Sequence, residues 1–222
     1  MFLSIIIITL NEAKNVTKTI RSVKKAVEIG KKHSLFTEII VSDGGSEDGT
    51  VPLAKELGAR VINSPPSRYK QLNAGARAAR GEVLLFLHAD TVMPKSAILR
   101  IFWKMKNPCV VGGGFKKKWR KSEGTIYSSF LTFMLFFFSG FGNWTVRLIK
   151  TFPGDNAIFV RRKVFEKMNG FAPLWICEDF DFSLRLKRFA RGHECSGGRK
   201  GRFVYLRPAV WTSARRFEQH GF

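Results

Sequence analysis

Carboxylate side chains occupy three places at which an apolar run ends or a helical pattern begins. Asp43 and Asp90 each follow a short apolar run, and Glu178-Asp179 precede residues with helical spacing. A carboxylate accepts hydrogen bonds from N–H groups, holds a hard divalent cation such as Mg²⁺ or Mn²⁺, or takes a proton from a hydroxyl. The sequence therefore offers acceptor, metal-binding and general-base chemistry.

Two further side chains suit the same chemistry. His88 stands two residues before Asp90, where its imidazole would bind a ligand or a metal, or serve as an ordinary strand-end histidine. Arg68 lies at the start of a helical pattern, and a guanidinium suits a bidentate contact with phosphate. A solvated helix face is the alternative interpretation for Arg68.

The first ninety residues predict a scaffold for these side chains in which strands and helices alternate. Strands are predicted over 4–9, 38–41, 60–62 and 82–87. Helical patterns lie between them, and we predict Asn11 as the N-cap of the first helix. Such alternation is typical of βαβ units and of a mostly parallel α/β sheet. Ligands bind beyond the carboxyl ends of the strands in such sheets, so Asp43 and Asp90 are expected at one edge.

The second part of the chain is less regular. We predict a strand over 110–115, whose glycines allow close backbone approach, a short strand over 157–160 and a helix over 179–190. No internal repeat or low-complexity linker divides the chain. We therefore expect a single domain with a mixed C-terminal half.

The chain is strongly basic, and its positive charge is unevenly distributed. Lys and Arg number 38 and Asp and Glu 17, a net charge of +21. The first 90 residues hold 13 basic and 9 acidic residues, and the remainder holds 25 and 8. A polyanion or an anionic membrane surface is therefore expected to bind the second part. No nucleic-acid-binding motif accompanies the charge, so specific nucleic-acid binding is not expected, and a basic polyanion-binding protein is an alternative function.

The three cysteines, Cys109, Cys177 and Cys195, form no C-x-x-C pair. A disulfide framework or a zinc ribbon is therefore not expected, and a reducing cytosol is the expected compartment. The apolar start of the chain has no basic region before it, which predicts a buried strand rather than a signal peptide.

A basic and then apolar segment covers residues 116–150. Five basic residues with Trp119 among them lie within 116–121, and the apolar stretch 130–138 is shorter than the roughly 20 residues that span a bilayer. Basic clusters beside aromatic, apolar residues suit an anionic membrane surface. We therefore expect a cytoplasmic protein peripheral to the inner face of the cell membrane. A core helix with solvated flanks is the alternative.

The motifs occur in an order that resembles family 2 glycosyltransferases. In the first half the matching segments are 9–12, 41–50, 73–76 and 87–91. In the second half they are 154–162, 178–179 and 212–217. Each motif is weak alone, but the ordered set covers nearly the whole chain. The set is most similar to a small bacterial and archaeal subgroup with a Leu-His-Ala-Asp-Thr motif. The resemblance implies the GT-A fold, a Rossmann-like sheet flanked by helices, and transfer of a sugar from a nucleotide-diphosphate sugar with inversion.

The resemblance divides the chain into a nucleotide-sugar-binding half, about 1–110, and an acceptor half, about 111–222. It implies that Asp43 contacts the uracil of a UDP-linked donor; a turn in which Asp43 bonds its own backbone is the alternative. Asp90 matches the carboxylate that holds Mn²⁺ or Mg²⁺, and His88 replaces the first aspartate of the usual Asp-x-Asp motif. The other residues expected to bind the nucleotide sugar are Thr9, Asn11, Glu12, Gly45, Arg68 and Asn73.

The acceptor half is expected to hold the general base. Inverting transfer needs a carboxylate that takes the proton of the attacking hydroxyl, and the resemblance carries this role to Asp179. Asp181 is a rival, and a simple helix cap is the alternative for Asp179. The acceptor pocket is expected to contain Gly154, Asp155 and Glu178. The acceptor is expected to be a lipid, a lipid-linked molecule or a glycan. Because His88 departs from the family pattern, a catalytically degenerate scaffold is an alternative.

Overall fold

The first half of the chain alternates strands and helices, as the sequence predicts. The computed structural model describes residues 1–31, 33–120, 156–195 and 198–214. The elements of the first half are β1 (Phe2–Thr9), α1 (Ala13–Lys31), β2 (Phe36–Asp43), α2 (Thr50–Glu56), β3 (Arg60–Asn63), α3 (Arg68–Ala78), β4 (Val83–His88) and α4 (Ala97–Met105).

Strand β1 shows why this half forms a sheet covered on both faces. The four consecutive isoleucines from Ile5 to Ile8 are all buried. Because side chains alternate across a strand, Ile5 and Ile7 join one hydrophobic core and Ile6 and Ile8 join the other. A run of β-branched residues without polar alternation therefore fits a central strand with helices on both sides.

The second half adds strands to the same sheet. Its described elements are β5 (Val110–Arg120), β6 (Phe159–Arg161), α5 (Arg162–Lys167), α6 (Glu178–Gly192), β7 (Glu194–Cys195), β8 (Arg199–Lys200) and β9 (Arg202–Ser213). The seven-stranded sheet has the order β3-β2-β1-β4-β6-β5-β9, and β7 pairs with β8 separately. Among the described strands of the seven-stranded sheet, only β6 runs antiparallel to its neighbours, β4 and β5, and the separate pair β7 and β8 is also antiparallel. The predicted mostly parallel α/β sheet is thus confirmed.

Three elements of the second half, β5, β6 and α6, differ from their predicted bounds, and α5, β7, β8 and β9 were not predicted. Helix α6 spans Glu178–Gly192, against the predicted 179–190. Strand β5 continues to Arg120, five residues beyond the predicted end, because β9 pairs with it along that length. Strand β6 begins at Phe159 rather than at residue 157.

The predicted close backbone approach at the glycines of β5 is confirmed. A Cβ added to Gly113 would lie 2.1 Å from the Val204 carbonyl oxygen of β9, and one added to Gly112 would lie 2.5 Å from that of Phe159 in β6. Any side chain at either position would therefore push a neighbouring strand away.

The basic run forms the end of β5. Lys117 Nζ lies 4.2 Å from the ring centre of Trp119, and Lys118 Nζ lies 5.1 Å from that of Trp211 in β9. Beyond residue 120, the predicted membrane-docking segment 116–150 lies outside the described residues. Among the residues that the structure does describe, no helix has the length and apolar character needed to cross a bilayer.

A disulfide bond joins Cys109, just before β5, to Cys195 in β7. The sequence analysis expected no disulfide framework and did not foresee this single bond, while Cys177 is free and exposed. The bonded cysteines are 86 residues apart in the sequence, and only the fold brings their Cα atoms to 5.5 Å. The cysteine pattern consequently no longer supports a reducing compartment.

Candidate active site

The carboxyl ends of β1, β2 and β4 meet at one edge of the sheet. Thr9 is in register with Asp43, and Ile8 is in register with His88. The sequence predicted that these strand ends would converge, and their parallel pairing accounts for the convergence. The polar side chains at this edge form the floor of the candidate site.

Asp43 lies at the end of β2 and is only 2% exposed. Its carboxylate accepts hydrogen bonds from Thr9 Oγ1 at 2.7 Å, Gly45 N at 3.0 Å, Ser46 N at 2.7 Å and Ser46 Oγ at 2.5 Å. Burial would raise the pKa of Asp43, but these bonds outweigh it and hold the pKa below its usual range. Four donors occupy the carboxylate, so the predicted turn is present. The predicted uracil contact stays a prediction.

The two loops after β1 and β2 are joined by hydrogen bonds from backbone N–H groups to side chains. Asn11 N donates to Ser46 Oγ at 2.9 Å, and Glu12 N donates to Thr50 Oγ1 at 2.8 Å. In return, Asn11 Oδ1 accepts from Glu47 N at 2.9 Å. Asn11 and Glu12, predicted to bind the donor, therefore also shape the loop that follows Asp43.

The N-terminus of α1 is stabilised by a residue from the facing loop. Ala13 N donates to Asp48 Oδ2 at 3.0 Å, whereas Asn11 has a left-handed backbone, with φ of 52°, and precedes the helix by two residues. The prediction of Asn11 as the N-cap is therefore wrong. Sequence reasoning missed Ser46, Asp48 and Thr50, since their partners are more than thirty residues away in the chain.

Helix α3 contributes two amide side chains that hold other elements in place. Gln71 Nε2 is buried and donates to the carbonyl oxygens of Thr9 at 2.7 Å and Ser42 at 3.0 Å. Asn73 donates to the Phe171 carbonyl at 2.9 Å and accepts from its N–H at 3.0 Å. Asn73, predicted to bind the nucleotide sugar, thus has a structural role that accounts for it without a ligand. Gln71 was not predicted.

Asp179 lies in the first turn of α6 and is 7% exposed. Its Oδ2 lies 4.0 Å from His88 Nε2 at the end of β4, so the two predicted site residues are neighbours. Helix α6 begins at Glu178 with Cys177 at the N-cap position. Asp179 therefore lies one residue inside the helix rather than at the N-cap position, and its Oδ1 accepts a hydrogen bond from the Phe180 N–H at 2.7 Å. The Asp179 carboxylate thus stabilises the first turn of α6, and its role as a base stays a prediction.

Glu178 is fully buried, and neither of its carboxyl oxygens accepts a hydrogen bond from the residues that the structure describes. Arg68 Nη1 lies 4.0 Å from Oε1. Burial raises the pKa of Glu178, the negative charge of Asp179 raises it further, and the positive charges of Arg68 and His88 oppose the change. The pKa of Glu178 therefore lies above its ordinary value, so the two neighbouring carboxyl groups have different surroundings.

Asp181, the rival of Asp179, is committed to a different contact. Its Oδ2 accepts a hydrogen bond from Arg185 Nε at 2.7 Å, one helical turn along α6. Arg185 also donates to the carbonyl oxygens of Met168 and Gly170, at 2.9 Å each. Asp181 therefore orients an arginine that holds the loop before α6, and the geometry favours Asp179 as the base.

Asp90 follows β4, and its Oδ1 accepts a hydrogen bond from Thr212 Oγ1 of β9 at 3.3 Å. Within the described ranges, no group of three His, Cys, Asp or Glu side chains could hold a metal by itself. A single half-buried carboxylate nevertheless fits Mg²⁺ or Mn²⁺ when a diphosphate and water supply the other oxygens. Asp90 therefore suits a cation that arrives with an anionic ligand.

Two of the three predicted acceptor-pocket residues, Gly154 and Asp155, lie outside the described residues. The neighbouring Asn156 is buried and donates from Nδ2 to the Phe115 carbonyl at 2.7 Å. Its Oδ1 accepts no hydrogen bond from the described part of the chain.

Comparison with known proteins adds a family match. A family model described as Glycosyl transferase family 2 matches residues 4–168. Glucosyl-3-phosphoglycerate synthase of Petrotoga mobilis is 48% identical over 56 residues, which are 25% of this chain and 17% of that protein. Glycosyltransferase AglE of Haloferax volcanii is 30% identical over 96 residues, which are 40% of this chain and 30% of that protein. The chain thus spans less than a third of the length of these curated relatives.

Solved structures share the fold over nearly all of this chain. TarS of S. aureus, solved with UDP-GlcNAc, has a TM-score of 0.64 and 17% identity over 97% of this chain and 59% of that chain. Glucosyl-3-phosphoglycerate synthase of Mycobacterium tuberculosis, solved with Mn²⁺, UDP and glucosyl-3-phosphoglycerate, has a TM-score of 0.60 and 18% identity over 99% and 74%. The likeness confirms the expected GT-A-like fold.

Proposed function

Because the chain belongs to glycosyl transferase family 2, we propose that it transfers a sugar from a nucleotide-diphosphate sugar to an acceptor hydroxyl with inversion at the anomeric carbon. The donor in this proposal is UDP-linked. Two structural relatives support that choice, since one was solved with UDP-GlcNAc and the other with UDP. A GT-A-like structure from Pyrobaculum calidifontis was solved with GDP-Man, so the base is part of what the experiment must test.

The observation that carries the proposal is the approach of His88 to Asp179. His88 ends a strand of the donor half, Asp179 begins a helix of the acceptor half, and 4.0 Å separates Nε2 from Oδ2. Donor chemistry and a proton acceptor must lie side by side for a direct displacement. The fold supplies that arrangement from two distant parts of the sequence.

Asp179 is the general base in this proposal. Its carboxylate takes the proton of the acceptor hydroxyl while that oxygen forms a bond to the anomeric carbon and the bond to the nucleotide diphosphate breaks. Burial raises the pKa of the adjacent Glu178, which makes Glu178 a weaker acid than an exposed glutamate. Arg68, 4.0 Å from Glu178, lies at the start of α3, where its guanidinium suits a donor phosphate.

The donor nucleotide occupies the carboxyl ends of β1, β2 and β4 in this proposal. Thr9, Asp43 and Gly45 shape the turn on which the base would lie. Asp90 would hold Mg²⁺ or Mn²⁺ against the diphosphate. Such a cation stabilises the negative charge of the departing nucleotide diphosphate. Mn²⁺ is present in two of the structural relatives.

The acceptor is a hydroxyl of a lipid, a lipid-linked molecule or a glycan, and the enzyme works at the inner face of the cell membrane. The net charge of +21 supports an anionic surface as a partner. His88 in place of an aspartate leaves the donor edge less negative than the usual Asp-x-Asp motif, which also lowers repulsion toward a diphosphate.

Thermal-shift measurement tests the proposal. We expect one nucleotide diphosphate and its sugar conjugate to raise the melting temperature in the presence of Mn²⁺, because a ligand at 100 times its Kd adds about 2.7 kcal/mol of stability. The panel holds uridine, guanosine, adenosine and thymidine diphosphates with and without Mn²⁺. A protein that melts at the same temperature under all conditions does not bind such donors, and the proposed function would be rejected.

A further inference from the structure

The loop before α6 exposes an unusual concentration of apolar surface. Of the nine large hydrophobic side chains exposed among the described residues, four lie between residues 174 and 180. Trp175 is 84% exposed and Ile176 is 75% exposed, and Leu174 and Phe180 are 39% and 40% exposed. We call these four residues the apolar tip. Single exposed apolar residues are ordinary, but a contiguous group of this kind marks a binding surface.

Several contacts hold the chain that precedes the apolar tip. The exposure of the tip is therefore not the result of a loose, frayed segment. Asn73 binds both backbone groups of Phe171, and Arg185 donates to two carbonyl oxygens nearby. The Phe171 ring stacks on Phe182 of α6 with 4.4 Å between ring centres. Several contacts therefore hold this loop in place, although its tip is exposed to solvent.

The apolar tip is continuous with the candidate active site. Ile176 and Cys177 lead directly into Glu178 and Asp179, and Phe180 follows Asp179 in α6. Cys177 has a left-handed backbone, with φ of 63°, which turns the chain from the exposed tip into the helix. Whatever binds the apolar tip is thereby placed next to the proposed base.

Two of the three helices that hold the loop are positively charged, whereas α6 carries four basic and three acidic residues, and all three acidic ones lie in its first turn. Helix α3 lies beside the loop, since Arg68 approaches Glu178 near one end of it and Asn73 binds Phe171 near the other. This helix carries three basic and no acidic residues, and α5, which leads into the loop, carries three basic and one acidic. An apolar, tryptophan-bearing tip on basic helices complements an anionic lipid surface.

A glycan stacked on the exposed ring of Trp175 is the alternative to a lipid surface. Sugar recognition needs hydrogen-bonding side chains around the ring, because a sugar presents hydroxyl groups as well as its C–H face. The residues on either side of Trp175 in the sequence, Leu174 and Ile176, are both exposed and apolar. Aliphatic neighbours favour acyl chains over a sugar.

We propose that the apolar tip inserts into the interfacial layer of an anionic bilayer and so presents Asp179 to a hydroxyl carried by a membrane lipid. This inference rests on the proposed function for the identity of the reaction. It differs from the expected docking through residues 116–150, because it assigns membrane contact to residues beside the base. The acceptor is accordingly a lipid whose reacting hydroxyl lies at headgroup depth.

Vesicle binding tests the inference without any donor present. The full chain is sedimented with vesicles of phosphatidylcholine containing phosphatidylglycerol, and with vesicles of phosphatidylcholine alone. We expect the double variant Trp175→Ser/Ile176→Ser to partition at least about tenfold more weakly into the anionic vesicles, since two large apolar side chains leave the interface. The wild type should also bind phosphatidylcholine alone more weakly than the anionic mixture.

Phe36→Ser is the matched control. Phe36 is 69% exposed at the amino end of β2, the end of the sheet opposite the site, and its removal should leave vesicle binding unchanged. Equal binding by the double variant and the wild type, or no binding by the wild type, would overturn the inference. Quenching of Trp175 fluorescence by a soluble glycan, with no vesicle binding, would overturn it in favour of a sugar.

The same preparations separate this inference from the proposed function. A wild type that binds vesicles through Trp175 and Ile176, but melts at one temperature with every donor, refutes the glycosyl transfer and leaves the membrane contact standing. A donor response without vesicle binding refutes the membrane contact and leaves the transfer standing. Circular dichroism of both variants establishes that they fold, so a loss of binding reports on the surface.

Discussion

Two buried carboxyl groups lie on the two sides of the site, and the fold treats them differently. Asp43, on the proposed donor side, accepts four hydrogen bonds from its own turn and from β1. Glu178, on the acceptor side, accepts none from the described residues, and the nearest cation, Arg68, is 4.0 Å away. The pKa of Asp43 accordingly lies below its usual range and that of Glu178 above.

This difference between the two carboxyl groups indicates which side of the proposed site has its polar groups hydrogen-bonded before a substrate binds. Donor-side loops are joined to each other by their own side chains, so their shape does not depend on a ligand. On the acceptor side, Glu178 and Asn156 Oδ1 are buried without hydrogen bonds from the described residues, and the neighbouring loop exposes Trp175. Substrate contacts are expected to stabilise the acceptor side more than the donor side.

Asp179→Asn is expected to have the largest effect, because it removes the only group assigned to take the acceptor proton. We expect kcat to fall by about 10³-fold, within the range of general-base catalysis. The measurement is release of nucleotide diphosphate in the presence of acceptor. Asp181→Asn is the matched control, since it removes the charge of the carboxylate that contacts Arg185 on the same helix and should lower kcat by less than about tenfold. Wild-type turnover by a folded Asp179→Asn protein would remove Asp179 from the mechanism.

Asp43→Ala tests whether the hydrogen bonds of Asp43 hold the loop after β2 without a ligand. The quantity compared is the free energy of unfolding. The substitution leaves the N–H groups of Gly45 and Ser46 and the Thr9 hydroxyl without an acceptor, and we expect a loss of about 3 kcal/mol in the free energy of unfolding. Urea denaturation measures it. Asp43→Asn should lose less, because the two hydroxyls can turn to accept from the amide. An alanine variant as stable as the wild type would show that these bonds do not hold the loop.

The same turn predicts a pH dependence at the acid end. Because the folded pKa of Asp43 lies below the unfolded value, its stabilising effect is complete above the ordinary carboxyl pKa. The effect is lost as the pH falls through the folded pKa. As the pH falls below about 5, the free energy of unfolding should therefore decrease less for Asp43→Asn than for the wild type. The difference should be roughly the contribution of one carboxyl group.

Asp90→Ala is expected to remove the metal-dependent part of donor binding. A donor at 100 times its Kd adds about 2.7 kcal/mol to the wild type, and most of this gain should disappear. Thermal shift with and without Mn²⁺ measures the change. Thr212→Val deletes the hydroxyl that donates to Asp90 and is the mild control. A variant whose melting temperature still rises with donor and Mn²⁺ together would place the cation elsewhere.

Glu178→Gln is expected to have the smallest effect, and it should raise the stability of the protein rather than lower it. The folded pKa of Glu178 is raised, so its contribution to stability is present below the unfolded pKa and is lost as the pH rises through the folded pKa. A neutral glutamine has no such loss, and its melting temperature should exceed that of the wild type at pH 8. Scans from pH 4.5 to 8 measure the difference. Parallel curves would contradict the raised pKa.

The donor half was predictable from the sequence because its signals are local. The run Ile5 to Ile8 predicts a central parallel strand without any neighbour, and the convergence of Asp43 with His88 follows from parallel pairing alone. The predicted helix start after Ser67 is likewise present in α3. In this half, the periodicity of apolar residues and the strand ends together locate the site.

The remainder depends on contacts between distant residues. Strand β9 contains Arg207-Pro208 and has mixed exposure, so its pattern has no period of two, and it becomes a strand by pairing with β5. The partnership of Asn73 with Phe171 joins residues 98 apart. The disulfide of Cys109 with Cys195 is equally non-local. None of these contacts has a signature within one segment of sequence.

The position of β6 sets a delay during synthesis. Strand β4 ends at residue 88, but the strand that covers its open edge begins at residue 159, so the 70 residues between them must be translated first. At roughly 5–20 residues per second, the ribosome needs on the order of 4–14 s for that stretch. During this interval the N–H and C=O groups along one side of β4 lack their native partner, and the nascent chain exposes an edge at which other chains can pair.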